Sequence, residues 1–138
     1  MRGVILTHFF VPMEKLPTAT GQEKGYSSRS KTWYEPAALK AARVKLRGHL
    51  TPYRPEAPLE GPLMLTVKWC FPESKTHHGG TWKITKPDTD NLQKVLKDEM
   101  THLGFWHDDA QVCSEHIEKF YHRLPGLFVA VEEMEAEE

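Results

Sequence analysis

The strongest constraint in this sequence is a helix written between two acidic pairs. Leu92, Val95, Leu96, Met100 and Leu103 recur at helical spacing on one face. Gly104 follows as a stop. Asp90, with Gln93 three residues later, predicts an N-cap and a capping box. Glu99 falls inside the apolar arc and is expected at the rim of the helix–sheet contact. A one-faced helix needs an apolar surface to cover, and the flanking segments supply strands. LMLTVKWCF (63–71) sets Leu63, Leu65, Val67 and Trp69 on one side. VILTHFFV (4–11) is rich in β-formers. Residues 111–123 and 126–133, joined at Pro125-Gly126, read as a hairpin. A further helix is predicted over 34–49, with Pro36 in its first turn and Leu39, Ala42, Leu46 and Leu50 at helical spacing. Residues 12–30 read as a loop, and 51–62, with four prolines, as an extended connection. The order is β-α-β-α-β-β, and no internal repeat interrupts it. It predicts one small α+β domain whose helices pack on one face of a mixed sheet.

The 138 residues fit a single domain. The expected division is a domain over 1–131 and an acidic, disordered tail over 132–138, EEMEAEE. The formal net charge of −1 conceals an asymmetry: without that tail, 18 Lys and Arg face 14 acids. Between 24 and 54 stand eight basic residues against one acid, Glu35. Such a stretch attracts polyanions, although a solvated helix face gives the same composition. Cys70 and Cys113 lie far apart without metal-ligand spacing, as in a reduced intracellular protein. The N-terminus lacks the pattern of a signal peptide, and no run nears the roughly 20 apolar residues of a membrane span. A soluble, cytoplasmic protein with no membrane role is expected.

The chemistry concentrates in KPDTDNLQKVLKDEMTHLGFWHDDAQV, residues 86–112. Asp88 and Asp90 precede or open the helix, Lys94 and Asp98 lie within it, and Asp108-Asp109 follow it. Residues 90, 94 and 98 step four apart along one polar stripe. Clustered carboxylates repel one another unless a cation sits between them. Hard oxygen donors select Mg²⁺, with Mn²⁺ as a substitute. In phosphodiester hydrolysis such ions activate water and steady the charge on the attacked phosphate. A neighbouring lysine adds charge stabilisation. A helix over 91–103 is roughly 20 Å long, so its ends share one site only if the following strand folds the chain back. Each residue also has an ordinary role available: Asp90 as a cap, Asp88 and Asp108-Asp109 as turn residues, and Lys94 with Asp98 as an exposed i,i+4 pair.

The run K-P-D-x-D-N-L-x-K-x-x-x-D, followed by G-F-W-x-D-D-x-Q-V, resembles the signature of the RusA family of endodeoxyribonucleases. Lys31-Thr32 and Tyr34-Glu35, ahead of a helix, resemble the family's N-terminal part. The resemblance implies a Mg²⁺-dependent nuclease that resolves Holliday junctions in DNA recombination and repair, acting as a homodimer on four-way branched DNA. It implies Asp88, Asp90 and Asp109 as catalytic metal ligands, with Asp108 as a further ligand. Lys94 matches the family's active-site lysine, and Asp98 a supporting position.

The sequence also departs from the family. Many relatives carry a Lys-Gly-Arg-Pro-Arg-like run after the first strand, where this chain has Met13-Glu14-Lys15-Leu16-Pro17-Thr18. Lys15 stands for the lysine and both arginines are missing. The expected DNA contacts are Lys15, Arg29, Lys31, Lys83 and Lys86, together with basic residues of the first helix such as Lys40, Arg43 and Arg47. His77 and His78 lack the partner spacing of a zinc site. Trp82 is either a core-edge residue or a stacking surface for an unpaired base. Phe105 and Trp106 are expected in the core or a dimer contact. Two rival functions remain: a metal-dependent nuclease acting on flaps or forks, and a non-catalytic DNA-binding module whose acids are only caps and turns.

Overall fold

The computed structural model describes residues 6–17, 25–27, 32–34 and 37–134. Its main elements follow the expected order. Strand β1 (Leu6–Pro12) precedes a short hairpin of β2 (Gly25–Ser27) and β3 (Thr32–Tyr34). Helix α1 (Ala37–Leu50), strand β4 (Leu63–Pro72), helix α2 (Thr89–Leu103), and strands β5 (Val112–His122) and β6 (Gly126–Glu133) complete the chain. The hairpin lies where the sequence reads as loop and helix start; neither three-residue strand is long enough to show a period. Strand β6 runs two residues into the stretch read as tail, and residues 135–138 lie outside the described residues.

The sheet order is β1-β6-β4-β5. Strand β4 pairs parallel with β5 and antiparallel with β6, and β6 pairs antiparallel with β1. The sheet is therefore mixed, as expected. The predicted β5–β6 hairpin is not formed, because β4 lies between the two strands. Arg123, Leu124 and Pro125 carry the chain over the end of β4. That crossing spans two strand spacings, about 10 Å, which four Cα–Cα steps reach easily. A central position suits β4, whose Leu63, Leu65, Val67 and Trp69 are all fully buried. Gly126 permits the landing: a Cβ there would lie 2.4 Å from the Val11 carbonyl oxygen and 2.5 Å from the Phe10 ring.

Register places one core face along the sheet. Phe9 pairs with Val129 and Val11 with Leu127; Val129 and Leu127 pair in turn with Val67 and Trp69. Both helices cover this face. Leu39, Leu46 and Leu50 of α1 and Leu92, Val95, Leu96 and Met100 of α2 are buried in the same cluster, with Ala42 and Leu103 partly buried against it. Phe105 and Trp106 are also core residues. At roughly 1.5–3 kcal/mol for each buried large aliphatic or aromatic side chain, this cluster is the main stabilising term.

Glu99 lies deeper than a rim position, at 3% exposure. It faces α1, where Arg47 Nε donates to Oε1 at 2.7 Å and Arg43 Nη1 stands 3.5 Å from Oε2. Arg43 Nη2 also meets Asp98 at 3.3 Å. These two guanidiniums join the helices, so much of their charge is met by carboxylates within the protein. A carboxylate so enclosed is tolerated because cations meet both its oxygens. Replacing Glu99 with alanine leaves Arg47 and one arm of Arg43 without their partner. The expected loss is about 2 kcal/mol, less than for a fully buried pair because Arg47 reaches solvent. A lower urea midpoint with an unchanged slope measures it.

Candidate active site

The residues singled out by sequence sit at the two ends of α2. Asp88 is the N-cap, with extended φ and ψ of −75° and 150°, and its side chain makes no capping bond. Asp90 lies in the first turn, not at the cap, and is also exposed. The predicted capping box is therefore absent. Gln93 is 3% exposed, and its amide has no partner among the described residues. Capping by Asp88 is made by its backbone carbonyl, which accepts from Leu92 N–H at 3.1 Å. Both carboxylates thus stay free to bind something else. The positive end of the helix dipole favours negative charge there.

The segment leading into Asp88 is tied down by a residue that sequence reading missed. Lys119 of β5 donates from Nζ to the carbonyls of Thr85 and, at 2.8 Å, of Pro87. Those carbonyls flank the cis Lys86-Pro87 bond. Burial lowers the Lys119 pKa below its ordinary value, and the positive charge of Lys83 lowers it further, while Asp88 and Tyr121 pull it back up. The sequence signal was faint: a lysine facing inward along an edge strand, at a position paired with the buried Trp69.

One turn along α2, Lys94 Nζ lies 2.7 Å from Asp98 Oδ1, the expected i,i+4 pair. Asp98 holds Arg43 as well. Past the end of α2, Asp108 acts as a cap: its Oδ1 accepts from Ala110 N–H at 2.9 Å. Gln111 Oε1 completes the box by accepting from Asp108 N–H at 3.0 Å. Asp109 is half-buried, and its carboxylate has no hydrogen bond or ion pair among the described residues.

The two acidic pairs are far apart in one chain. The 15 residues of α2 extend about 22 Å at 1.5 Å per residue. Strands β4 and β5 run parallel, from Leu63↔Val112 to Pro72↔His122. Asp109 lies just ahead of Val112, whereas Asp88 follows Pro87, which Lys119 holds near the far end of β5. The Lys97–Glu115 ion pair, at 2.7 Å, sets the later half of α2 beside the earlier half of β5, in keeping with an antiparallel run. Among the described residues no three acidic, histidine or cysteine side chains are grouped to hold a metal. Asp88 and Asp90 by themselves suit a hard cation: both are exposed and uncommitted.

Of the expected DNA contacts, Lys15 and Lys86 are exposed. The Lys15 carbonyl accepts from Lys45 Nζ at 3.1 Å. Lys83 is half-buried, its Nζ 2.8 Å from Thr85 Oγ1 and above the rings of Phe71 and Tyr121. Arg29 and Lys31 lie outside the described residues.

Residues 15–132 match the family model for Endodeoxyribonuclease RusA. The chain belongs to that family, and is accordingly an endonuclease that acts on DNA. It is 30% identical over 132 residues to the uncharacterized protein YqaN of Bacillus subtilis (strain 168), covering 87% of this chain and 92% of that protein. It is also 30% identical over 106 residues to the crossover junction endodeoxyribonuclease rusA of Lactococcus phage r1t, covering 75% of this chain and 80% of the phage protein. Among the described residues no helix is long and apolar enough to cross a membrane.

Lys119→Ala is expected to speed amide hydrogen exchange across residues 84–91 while protection in β4 stays unchanged. Lys119→Arg, which keeps donors at the same place, restores protection; mass spectrometry of the exchanged protein reads both.

Proposed function

We propose that the protein is a divalent-metal-dependent endonuclease that resolves four-way DNA junctions by paired phosphodiester hydrolysis, in recombination and repair, as a homodimer. The observation that carries this reading is the pair of uncommitted carboxylates, Asp88 and Asp90, opening α2 in the K-P-D-x-D-N-L-x-K run. The phage relative, named a crossover junction endodeoxyribonuclease, supports the choice of substrate. Asp88 and Asp90 would hold Mg²⁺ or Mn²⁺, with Asp109 as a third acid. Asp108 is the weaker ligand, because its carboxylate already caps the turn at 109–111. A bound divalent cation supplies a nucleophile at neutral pH and neutralises charge on the phosphate oxygens. Lys94, one turn further along α2 and resting on Asp98, would leave that carboxylate to steady the charge that develops on the phosphate.

The separation of Asp88 and Asp90 from Asp109 bears on assembly. A single cation site that uses all three needs acids from two chains. A two-fold pairing that sets α2 antiparallel between copies brings the start of one helix to the end of the other. Such a dimer has two equivalent sites, which suits two symmetric cuts. Lys15 and Lys86, with Arg29 and Lys31, would hold the DNA arms through phosphates, so binding weakens with salt.

Asp90→Asn is expected to keep four-way-junction affinity within about threefold and to lose cleavage by about two orders of magnitude or more. Undiminished cutting would remove Asp90 from the mechanism. A panel of four-way, flap, fork and linear DNAs separates junction resolution from cleavage of flaps and forks. Mixing inactive Asp90→Asn with inactive Asp109→Asn tests the shared site. If each site draws Asp90 and Asp109 from different chains, mixed dimers keep one intact site, and nicking returns to about a quarter of wild type. Sites contained within one chain give no recovery.

A further inference from the structure

The segment before Asp88 presents two large apolar side chains to solvent from a fixed backbone. Gly80 N–H donates to the Tyr121 carbonyl at 2.7 Å, Tyr121 N–H to the Thr81 carbonyl at 2.9 Å, and Lys83 N–H to the Lys119 carbonyl at 3.2 Å. Trp82 and Phe120 bridge in antiparallel sense. The segment therefore lies along the outer edge of β5 as an added short strand. Side chains alternate on it. Lys83 turns inward over the rings of Phe71 and Tyr121, while Trp82 stays 64% exposed and Ile84 93% exposed. The sole ring contact of Trp82 among the described residues is edge-on, with Phe120 at 6.1 Å and 89°. No described ring is stacked on the indole.

Exposed apolar groups of this size on an ordered strand invite a partner. The partner's charge is indicated by the sequence around them: residues 74–87 contain Lys75, Lys83 and Lys86 and no acid. Its position is indicated by Asp88, only four residues beyond Ile84. That limits the span from Ile84 to the acids to roughly 15 Å, about four nucleotide steps of a strand. Duplex DNA offers phosphates to the lysines but keeps its base faces stacked on one another, out of reach of an indole. A branch point offers unstacked bases.

We propose that Trp82 and Ile84 form a wedge that takes an unpaired base at the branch point of the DNA, with Trp82 stacking on it and Ile84 filling the space it vacates. The indole face provides stacking without reading base identity, so the contact selects structure over sequence. The lysines guide the backbone past the wedge towards Asp88 and Asp90. This inference rests on the branched-DNA reading above and assigns the contact that recognises the branch.

The test is binding alone, in the Asp90→Asn background, so it does not depend on the metal reading. A four-way junction carries 2-aminopurine next to the branch. The expected result is a fluorescence change on binding that Trp82→Ala abolishes and Trp82→Phe retains. Junction affinity should fall about 10-fold with Trp82→Ala and further with Ile84→Ala added, while duplex affinity stays within about twofold. Mismatches at the branch, which leave bases already unpaired, should strengthen binding by the parent protein and not by Trp82→Ala. Equal losses on junction and duplex would overturn the wedge in favour of a general backbone contact. An unaltered 2-aminopurine signal in Trp82→Ala would overturn it outright. Dissociation of a dimer by Trp82→Ala in sedimentation would assign the patch to a second copy instead. If the wedge result holds while wild-type protein leaves junctions uncut, only the catalytic reading fails.

Discussion

Everything in this fold hangs on the pairing of β4 on both sides. Its side chains at 63, 65, 67 and 69 are closed off completely, which a strand achieves only with neighbours on each edge and a layer above. The neighbour β5 runs parallel to it, and a parallel neighbour requires a crossover. Helix α2 is that crossover. It must return the chain from one end of the sheet to the other, so residues before it and after it end up a helix length apart. The distribution of the acidic residues follows directly from the direction of one strand pairing.

The helices themselves were legible in the sequence, because each needs only its own residues to show its face. Leu92, Val95, Leu96 and Met100 were expected inside and are inside. The alternation of β4 was equally plain. Strand partners were not legible, since the Pro125-Gly126 turn looks the same whether its two strands touch or straddle a third. Only the burial demanded by β4, fifty residues earlier, decides between them. The cap of α2 was misplaced by two residues for a related reason. Asp88 and Asp90 are both good cap residues, and the choice depends on how Lys119 draws in the Thr85 and Pro87 carbonyls from a distant strand.

The candidate site was legible as a list of residues and not as an arrangement. Asp88, Asp90, Lys94 and Asp109 were named from the resemblance of their run to the family, whose match covers residues 15–132. Helix length already set Asp109 about 20 Å from Asp88 unless the following strand folded the chain back, and the strand direction that leaves them apart was not legible. Nor did composition reveal that Arg43 and Arg47, two prominent members of the basic stretch, are occupied by Asp98 and Glu99. Charge counted along a sequence overstates what a surface offers, because burial of one carboxylate draws in the nearest guanidiniums. Among the described residues, Lys40 and Lys45 of α1 and the loop residues Lys15, Arg54, Lys75 and Lys86 remain exposed.

The double attachment of Asp98 has its own consequence for Lys94. A carboxylate with one cation would be stranded if that cation left. Asp98 has two, and Arg43 stays with it when Lys94 swings away. Lys94 is 62% exposed, so releasing it costs no more than an exposed ion pair, under about 1 kcal/mol. The lysine is thus parked rather than locked: held against Asp98 while no phosphate is near, and free to trade one anion for another when one arrives.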